Sequence, residues 1–224
     1  LAACVGNIFT LDMLSVVNEK SPSETAIELY SALRVGLILP LSEAYKIPLV
    51  FNVEPSKIDK IKYKFLHDRV QQAAYFLIPE SEKKATHLKI GRLLLKNVPA
   101  AEIEANIFDI VNQLNWGIGI LDQQSEKDEL ARLNLIAGRK AKTAIAYEVA
   151  FKYLNAGLEL LSANAWDNNY DFTWALYVEA VEAAYLSGEF DRMEKLVEIV
   201  VQKAKTLLDK IRVYECKILA YVAD

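Results

Sequence analysis

Two histidines, His67 and His87, and two cysteines, Cys4 and Cys216, are all the imidazole and thiol that 224 residues hold, so the menu of general-base, nucleophilic and metal chemistry is short. His67 stands in Lys62-Tyr63-Lys64-Phe65-Leu66-His67, where polar and apolar residues alternate as in a half-buried strand. Helical spacing then starts at Asp68 and runs through Val70, Ala73, Ala74 and Leu77. At such a junction Asp68 suits a helix cap or a first-turn acid, and His67 reads as a partly buried hydrogen-bonding residue. His87 lies among Ala85, Thr86, Leu88, Lys89 and Ile90, beside apolar positions, and reads as packing. Cys4 and Cys216 sit near opposite ends, give neither a disulfide framework nor a zinc spacing, and read as small buried hydrophobes of a reducing cytosol. A phosphate cradle needs glycines whose backbone N–H groups close around the anion, followed by Lys and a hydroxyl. Gly138-Arg139-Lys140 lacks the earlier glycine, since position 133 is Leu133, and Gly117 to Gly119 lack a third glycine and a preceding strand. No G-x-S-x-G, H-E-x-x-H, C-x-x-C or EF-hand loop occurs, so neither catalysis nor a cofactor or metal site is expected of this chain alone.

The elements that must position these residues fall into two parts. Ser21 can cap a helix with Pro22 in its first turn and Glu24 closing a capping box. Ala26, Leu29, Tyr30 and Leu33 then mark one apolar face to Arg34, and Gly36 stops it before the short run Leu37-Ile38-Leu39-Pro40, which reads as a strand. A short helix at about Leu11 to Asn18 precedes this one. A variable stretch with Pro48 and Pro55 separates the run at Leu37 from the alternation ending at His67, so the order helix, helix, strand, loop, strand is that of a winged helix. Beyond Pro79 strand signals vanish. Helices are expected over Ser81–Lys96, Ala101–Leu114, Ser125–Thr143, Tyr147–Leu161, Tyr170–Leu186, Asp191–Asp209 and from Ile211 onward.

A degenerate repeat runs through the helical part. Tyr147, Ala150 and Leu154 match Phe190, Met193 and Val197 at a shift of about 43 positions, longer than the usual tetratricopeptide (TPR) period. Each set opens the second helix of a pair. The segment Tyr185-Leu186-Ser187-Gly188-Glu189-Phe190 has the small and aromatic residues of a TPR turn, and the polar link Ser162 to Asn169 supplies the extra length. Stacked helical hairpins are the physical expectation, because one pair alone cannot bury its apolar faces. The fold class expected is therefore mainly α, with a winged-helix-like subdomain over residues 1–80 and TPR-like α-helical hairpin repeats over residues 81–224.

Composition excludes several classes. With 53% hydrophobic and 25% charged residues, 8 Gly and 6 Pro, the chain is ordered and globular. A net charge of −4 gives no electrostatic footprint for nucleic acid or an anionic membrane. No apolar run approaches the length that crosses a bilayer, and no basic segment with a cleavage site opens the chain, so a cytoplasmic location without membrane insertion is expected. The chain opens at Leu1 without an initiator Met and stops at Asp224 inside a helical pattern, as a piece of a larger protein would.

The stretch Tyr63 to Leu95, YKFLHDRVQQAAYFLIPESEKKATHLKIGRLLL, resembles the signature that follows the ATPase core in STAND-class signalling ATPases, F-x-H-D-x-x-x-x-x-A-Y and then a helix of the H-L-x-I-G-R-x-L-L kind. The chain as a whole, including LAACVGNIFTLDMLSVV, NIFDIVNQLN and LIAGRKAKTAIAYEVAFKYLNAGLELL, resembles the central region of cyanobacterial multi-sensor signalling kinases with a STAND-class ATPase. That resemblance implies a winged-helix subdomain after an absent ATPase core, followed by the start of a helical sensor arm. It also implies a serine/threonine or histidine kinase as the whole protein, with ATP or ADP and Mg bound outside this chain. At the matching position it makes His67 a candidate contact to a nucleotide phosphate; Asp68 carries no role beyond capping.

Three classes of function follow. The first is a regulatory and protein-interaction module of a signalling ATPase/kinase, with neighbouring domains or peptides as partners. Trp166, Tyr170, Phe172, Trp174 and Tyr177 near the second helix pair are candidate contacts, although packing would account for most of them. The alternative is a winged-helix DNA-binding transcription regulator, but its recognition helix would carry Glu24 and Glu28 against Arg34. A stand-alone enzyme is disfavoured by the missing motifs.

Overall fold

The computed structural model describes residues 1–41 and 61–223, and these are mainly helical. They form two compact units, Leu1–Gly117 and Ile118–Asp224. The stretch with Pro48 and Pro55 lies outside the described residues.

In the first unit, α1 (Ala2–Val5) leads into β1 (Ile8–Thr10), followed by α2 (Leu11–Asn18), α3 (Pro22–Arg34), β2 (Ile38–Pro40), β3 (Lys62–Phe65), α4 (Asp68–Phe76), α5 (Glu80–Asn97) and α6 (Ile107–Trp116). Helix α3 begins as its sequence requires: Ser21 Oγ accepts from the Glu24 N–H while the Glu24 carboxylate accepts from the Ser21 N–H, with Pro22 in the first turn. The three strands form an antiparallel sheet in the order β1-β3-β2, pairing Phe9 with Tyr63 on one side of β3 and Ile38 with Phe65 on the other. Period-two alternation turns Tyr63 and Phe65 inward and leaves Lys62 exposed. Phe9, Leu11, Leu14, Ala26, Leu29, Ile38 and Ile61 complete that core. Strand β1 was not expected, because three residues are too few to show alternation.

The second unit contains α7 (Gln124–Thr143), α8 (Tyr147–Glu159), a short α9 (Ala165–Asn168), α10 (Tyr170–Leu186), α11 (Phe190–Lys203) and α12 (Leu208–Ala223). Helix α8 packs on both α7 and α10, and α10 packs on α11 and α12. The matched repeat positions Ala150 and Met193, and Leu154 and Val197, are all buried.

Two expected helices differ. The one expected over Ala101–Leu114 is a 3-10 turn at Ala100–Glu102 followed by α6 from Ile107. Pro99 fixes that tight turn, with the Glu102 N–H donating to its carbonyl at 2.8 Å. The helix expected over Asp191–Asp209 ends at Lys203, because Ala204 is extended. Thr206 and Asp209 then cap α12 reciprocally: the Asp209 N–H donates to Thr206 Oγ1 at 3.2 Å and the Thr206 N–H to Asp209 Oδ2 at 3.1 Å.

Candidate functional site

His67 follows β3 and occupies the position before the first residue of α4, with extended backbone (φ −146°, ψ 152°) and no capping hydrogen bond from its side chain. Its carbonyl accepts from the Val70 and Gln71 N–H groups, which starts the helix. The imidazole is exposed rather than partly buried, and it makes no hydrogen bond within the described residues. Asp68 is the acid of the first turn, with Oδ1 accepting from Asn7 Nδ2 at 2.9 Å. That bond ties the start of α4 to the segment before β1. Lys62, exposed on β3, and Arg69, exposed in the first turn of α4, are cationic neighbours in sequence. The junction thus presents an uncommitted imidazole and the Arg69 guanidinium, both able to donate to an anion.

His87 has the opposite setting. It is buried, its Nδ1 lies 2.7 Å from Gln113 Oε1 and its Nε2 2.9 Å from the Tyr75 hydroxyl. Gln113 Nε2 donates to the Cys4 carbonyl at 2.8 Å, which turns the amide oxygen toward His87. In the neutral ring, Nδ1–H therefore donates to Gln113 and Nε2 accepts from Tyr75 O–H. The Trp116 ring stacks on the imidazole at 5.1 Å and 15°. This chain of bonds joins α1, α4, α5 and α6, and Gln71 Nε2 adds a bond to the Ala3 carbonyl at 3.0 Å. Apolar neighbours in sequence point to packing for His87, but the hydrogen-bonded link through Tyr75 and Gln113 to Cys4 has no local signal, since its members come from four separate helices.

Above this network lies a cleft of about 300 Å³ lined by Cys4, Gln72, Tyr75, Phe76, His87 and Trp116, among others. Lys83 packs on Tyr75, its ammonium 4.7 Å from the ring centre and 2.5 Å from Glu80 Oε2. Burial raises the Cys4 thiol and the Tyr75 hydroxyl above their ordinary pKa values, so both stay protonated at neutral pH. Cys216 is half-buried rather than buried, and burial raises its pKa too. Among the described residues, no group of three or more His, Cys, Asp or Glu side chains could hold a metal, and no helix is long and apolar enough to cross a membrane.

The five aromatic contact candidates are half-buried and have partners inside the second unit. Tyr170 O–H donates to Asp209 Oδ2 at 2.6 Å and Trp174 Nε1–H to the Asp209 carbonyl at 2.9 Å. These bonds fasten α10 to the start of α12. The Trp166 ring lies 5.7 Å from Tyr170 and 5.1 Å from Tyr177, and Arg132 sits 4.7 Å over Phe172.

Comparison with known proteins finds a signalling relative. Hybrid signal transduction histidine kinase G of Dictyostelium discoideum is 29% identical over 249 residues, covering 92% of this chain and 7% of its own length. The chain therefore spans a small part of the curated relative it matches, and it is similar to a part of that signalling kinase over nearly all of its own length. No protein-family model matches the chain. No solved structure matches it.

Proposed function

We propose that this chain is a regulatory and protein-interaction segment of a multidomain signal-transduction ATPase/kinase, coupling nucleotide state to a helical sensor arm. The observation that carries the reading is the likeness to a signalling histidine kinase across 92% of the chain. The order helix, strand, helix, helix, strand, strand, with β3 central in the sheet, supports a winged-helix-like subdomain over residues 1–80. Helices paired at a period of about 43 residues support a TPR-like sensor region over residues 81–224. In this reading the chain has no catalysis of its own, and its partners are neighbouring domains or peptides. ATP or ADP and Mg bind elsewhere in the whole protein, which is a serine/threonine or histidine kinase.

His67 is the residue through which nucleotide state would reach this segment. Its exposed, uncommitted imidazole at the start of α4 can donate to a phosphate oxygen in a closed state and lose that bond on opening. In the full-length protein, His67→Ala removes a contact made in the closed state alone, worth about 1–3 kcal/mol for a bond to a charged group. Nucleotide release is therefore expected to quicken about tenfold or more. Melting of the 224-residue chain should hardly change, because an exposed side chain without partners contributes within about 0.5 kcal/mol. Unchanged release together with a strongly lowered melting temperature would reverse the reading and make His67 structural.

A further inference from the structure

Helix α4 carries no buried side chain, whereas α1, α2, α3, α5 and α6 each bury several. Its apolar hold is limited to Val70, Ala74 and Tyr75, which lie half-buried against the core. Phe76 at its end and the following Leu77 are 73% and 84% exposed. What fixes the helix is a polar stripe. Asp68, Gln71 and Tyr75 follow one another at helical spacing on one face, and each holds a different element. Asp68 Oδ1 accepts from Asn7 Nδ2 before β1 at 2.9 Å, Gln71 Nε2 donates to the Ala3 carbonyl of α1 at 3.0 Å, and the Tyr75 hydroxyl reaches His87 Nε2 of α5 at 2.9 Å. Lys83 of α5 adds its ammonium, 4.7 Å from the Tyr75 ring centre and 5.2 Å from that of Phe76.

Such bonds are exchanged for bonds to water when the groups separate, so each holds the helix weakly in net terms. Water also has a way in, because the cleft of about 300 Å³ runs along Gln72, Tyr75 and Phe76 to Cys4 and His87. Few buried apolar contacts and polar bonds within reach of solvent are the marks of a segment that opens at less cost than global unfolding.

We propose that α4 is a latch: it undocks as a unit from the rest of residues 1–117, with the Tyr75–His87 bond as its catch. Opening bares the His87 imidazole and the Cys4 thiol while the sheet, α5 and α6 stay packed. Because α4 begins beside His67, a phosphate bound there would keep the latch shut. That use rests on the role proposed for His67, whereas the opening of the chain without nucleotide does not.

The test is peptide-resolved hydrogen exchange of the 224-residue chain without nucleotide. The α4 amides are expected to exchange as a group, about tenfold or more faster than those of α5 and α6. Tyr75→Phe leaves Nε2 of the buried His87 without its donor in the closed state alone, so it should speed α4 exchange roughly tenfold. Ile107→Val, at the far end of α6 from Trp116, trims a fully buried side chain in a part that stays packed when α4 opens. It should speed α5 and α6 exchange several-fold and leave α4 unchanged. Gln71→Ala alters a half-buried position and gives the same selective reading where Tyr75→Phe perturbs folding. Exchange of α4 at the rate of α5, or an α4 rate that responds to Ile107→Val, would mean that the helix opens only with its whole unit and would overturn the proposal. An α4 rate indifferent to both Tyr75→Phe and Gln71→Ala would overturn it as well.

Discussion

Ile145 holds a backbone conformation that its side chain resists. Its φ is 61°, in the left-handed region where a β-branched residue is an outlier. The position ends α7 in a Schellman turn, with the Ile145 N–H donating to the Lys142 carbonyl and the Ala146 N–H to that of Ala141. About 43 positions later, Gly188 at φ 77° ends α10 with the same two bonds, to Tyr185 and, from Glu189, to Ala184. One copy of the turn has the residue that fits it and the other does not. Ile145→Gly should therefore stabilise the chain by about 0.5–1 kcal/mol, the relief of left-handed strain exceeding the entropy glycine adds to the unfolded chain. Little packing is lost, because Ile145 is 73% exposed. Urea unfolding decides the point: a midpoint unchanged or lowered would mean that contacts of the Ile145 side chain outweigh the strain. The repeat period was legible in Tyr147, Ala150 and Leu154 and their matches, whereas the strained turn was not, because no local pattern marks an isoleucine for φ above zero. The two histidines show the same limit. Their helical and strand settings were legible, but the exposure of His67 and the bonds of His87 to Tyr75 and Gln113 depend on how distant elements close together.

At the scale of elements, the two helix pairs solve one packing problem with different residues. In the first, Gly138 on α7 faces Leu154 on α8 so closely that a Cβ at Gly138 would lie 2.5 Å from Leu154 Cγ. In the second, the positions about 43 residues on are Val181 and Val197, both buried. A glycine with a leucine and a valine with a valine share the space differently. Gly138→Ala alone should cost about 1–3 kcal/mol, because Leu154 is fully buried and has no room to yield. Adding Leu154→Val should recover much of that loss, so the double variant is more stable than the sum of the two single changes. Strict additivity in thermal melts would mean that the close approach carries no stability. Sequence reading had assigned Gly138 no phosphate-binding part, and the structure shows a steric use for it that is invisible until α8 is placed.

Helices α7 and α10 share a pH-dependent link. Lys142 on α7 donates to Glu179 at 2.5 Å and to Glu182 at 2.8 Å on α10, and Arg139 reaches Glu179 at 2.9 Å. Burial pushes the Glu179 carboxyl up, but the Lys142 hydrogen bond and charge, with help from Arg139, outweigh it and hold the carboxyl below its ordinary value of 4.5. A carboxylate depressed by folding adds stability above its unfolded pKa and loses it as pH falls through the folded value. Wild type should thus lose stability below about pH 4.5 more steeply than Glu179→Gln. Parallel stability curves for the two proteins between about pH 3 and 6 would remove Glu179 from the account. Most helix boundaries were legible in apolar periodicity and capping residues. The ends of α6 and α11 were not, because Pro99 and the Thr206–Asp209 cap interrupt the backbone while the apolar spacing runs on.

For the molecule as a whole, charge bears on the proposed protein-facing role of the three-stranded unit, against a DNA-facing one. Helix α3 would be the recognition helix of a DNA-binding winged helix. Its exposed side chains include Ile27 and Tyr30, Glu24 is committed to the Ser21 cap, and Glu28 is paired with Lys20. Arg34 in the last turn is the basic residue of that helix. Duplex DNA is held chiefly by Lys and Arg that neutralise phosphates and release counterions, and an acidic chain with net charge −4 and an apolar, charge-neutralised α3 offers few such contacts. Apolar side chains on that face suit another protein surface better than a phosphate backbone. The expected result of a mobility-shift titration at about 150 mM salt is no retardation of duplex DNA below about 10 µM protein. Sequence-dependent retardation at nanomolar protein, weakened by Arg34→Ala, would establish α3 as a reading helix and displace the protein-facing role.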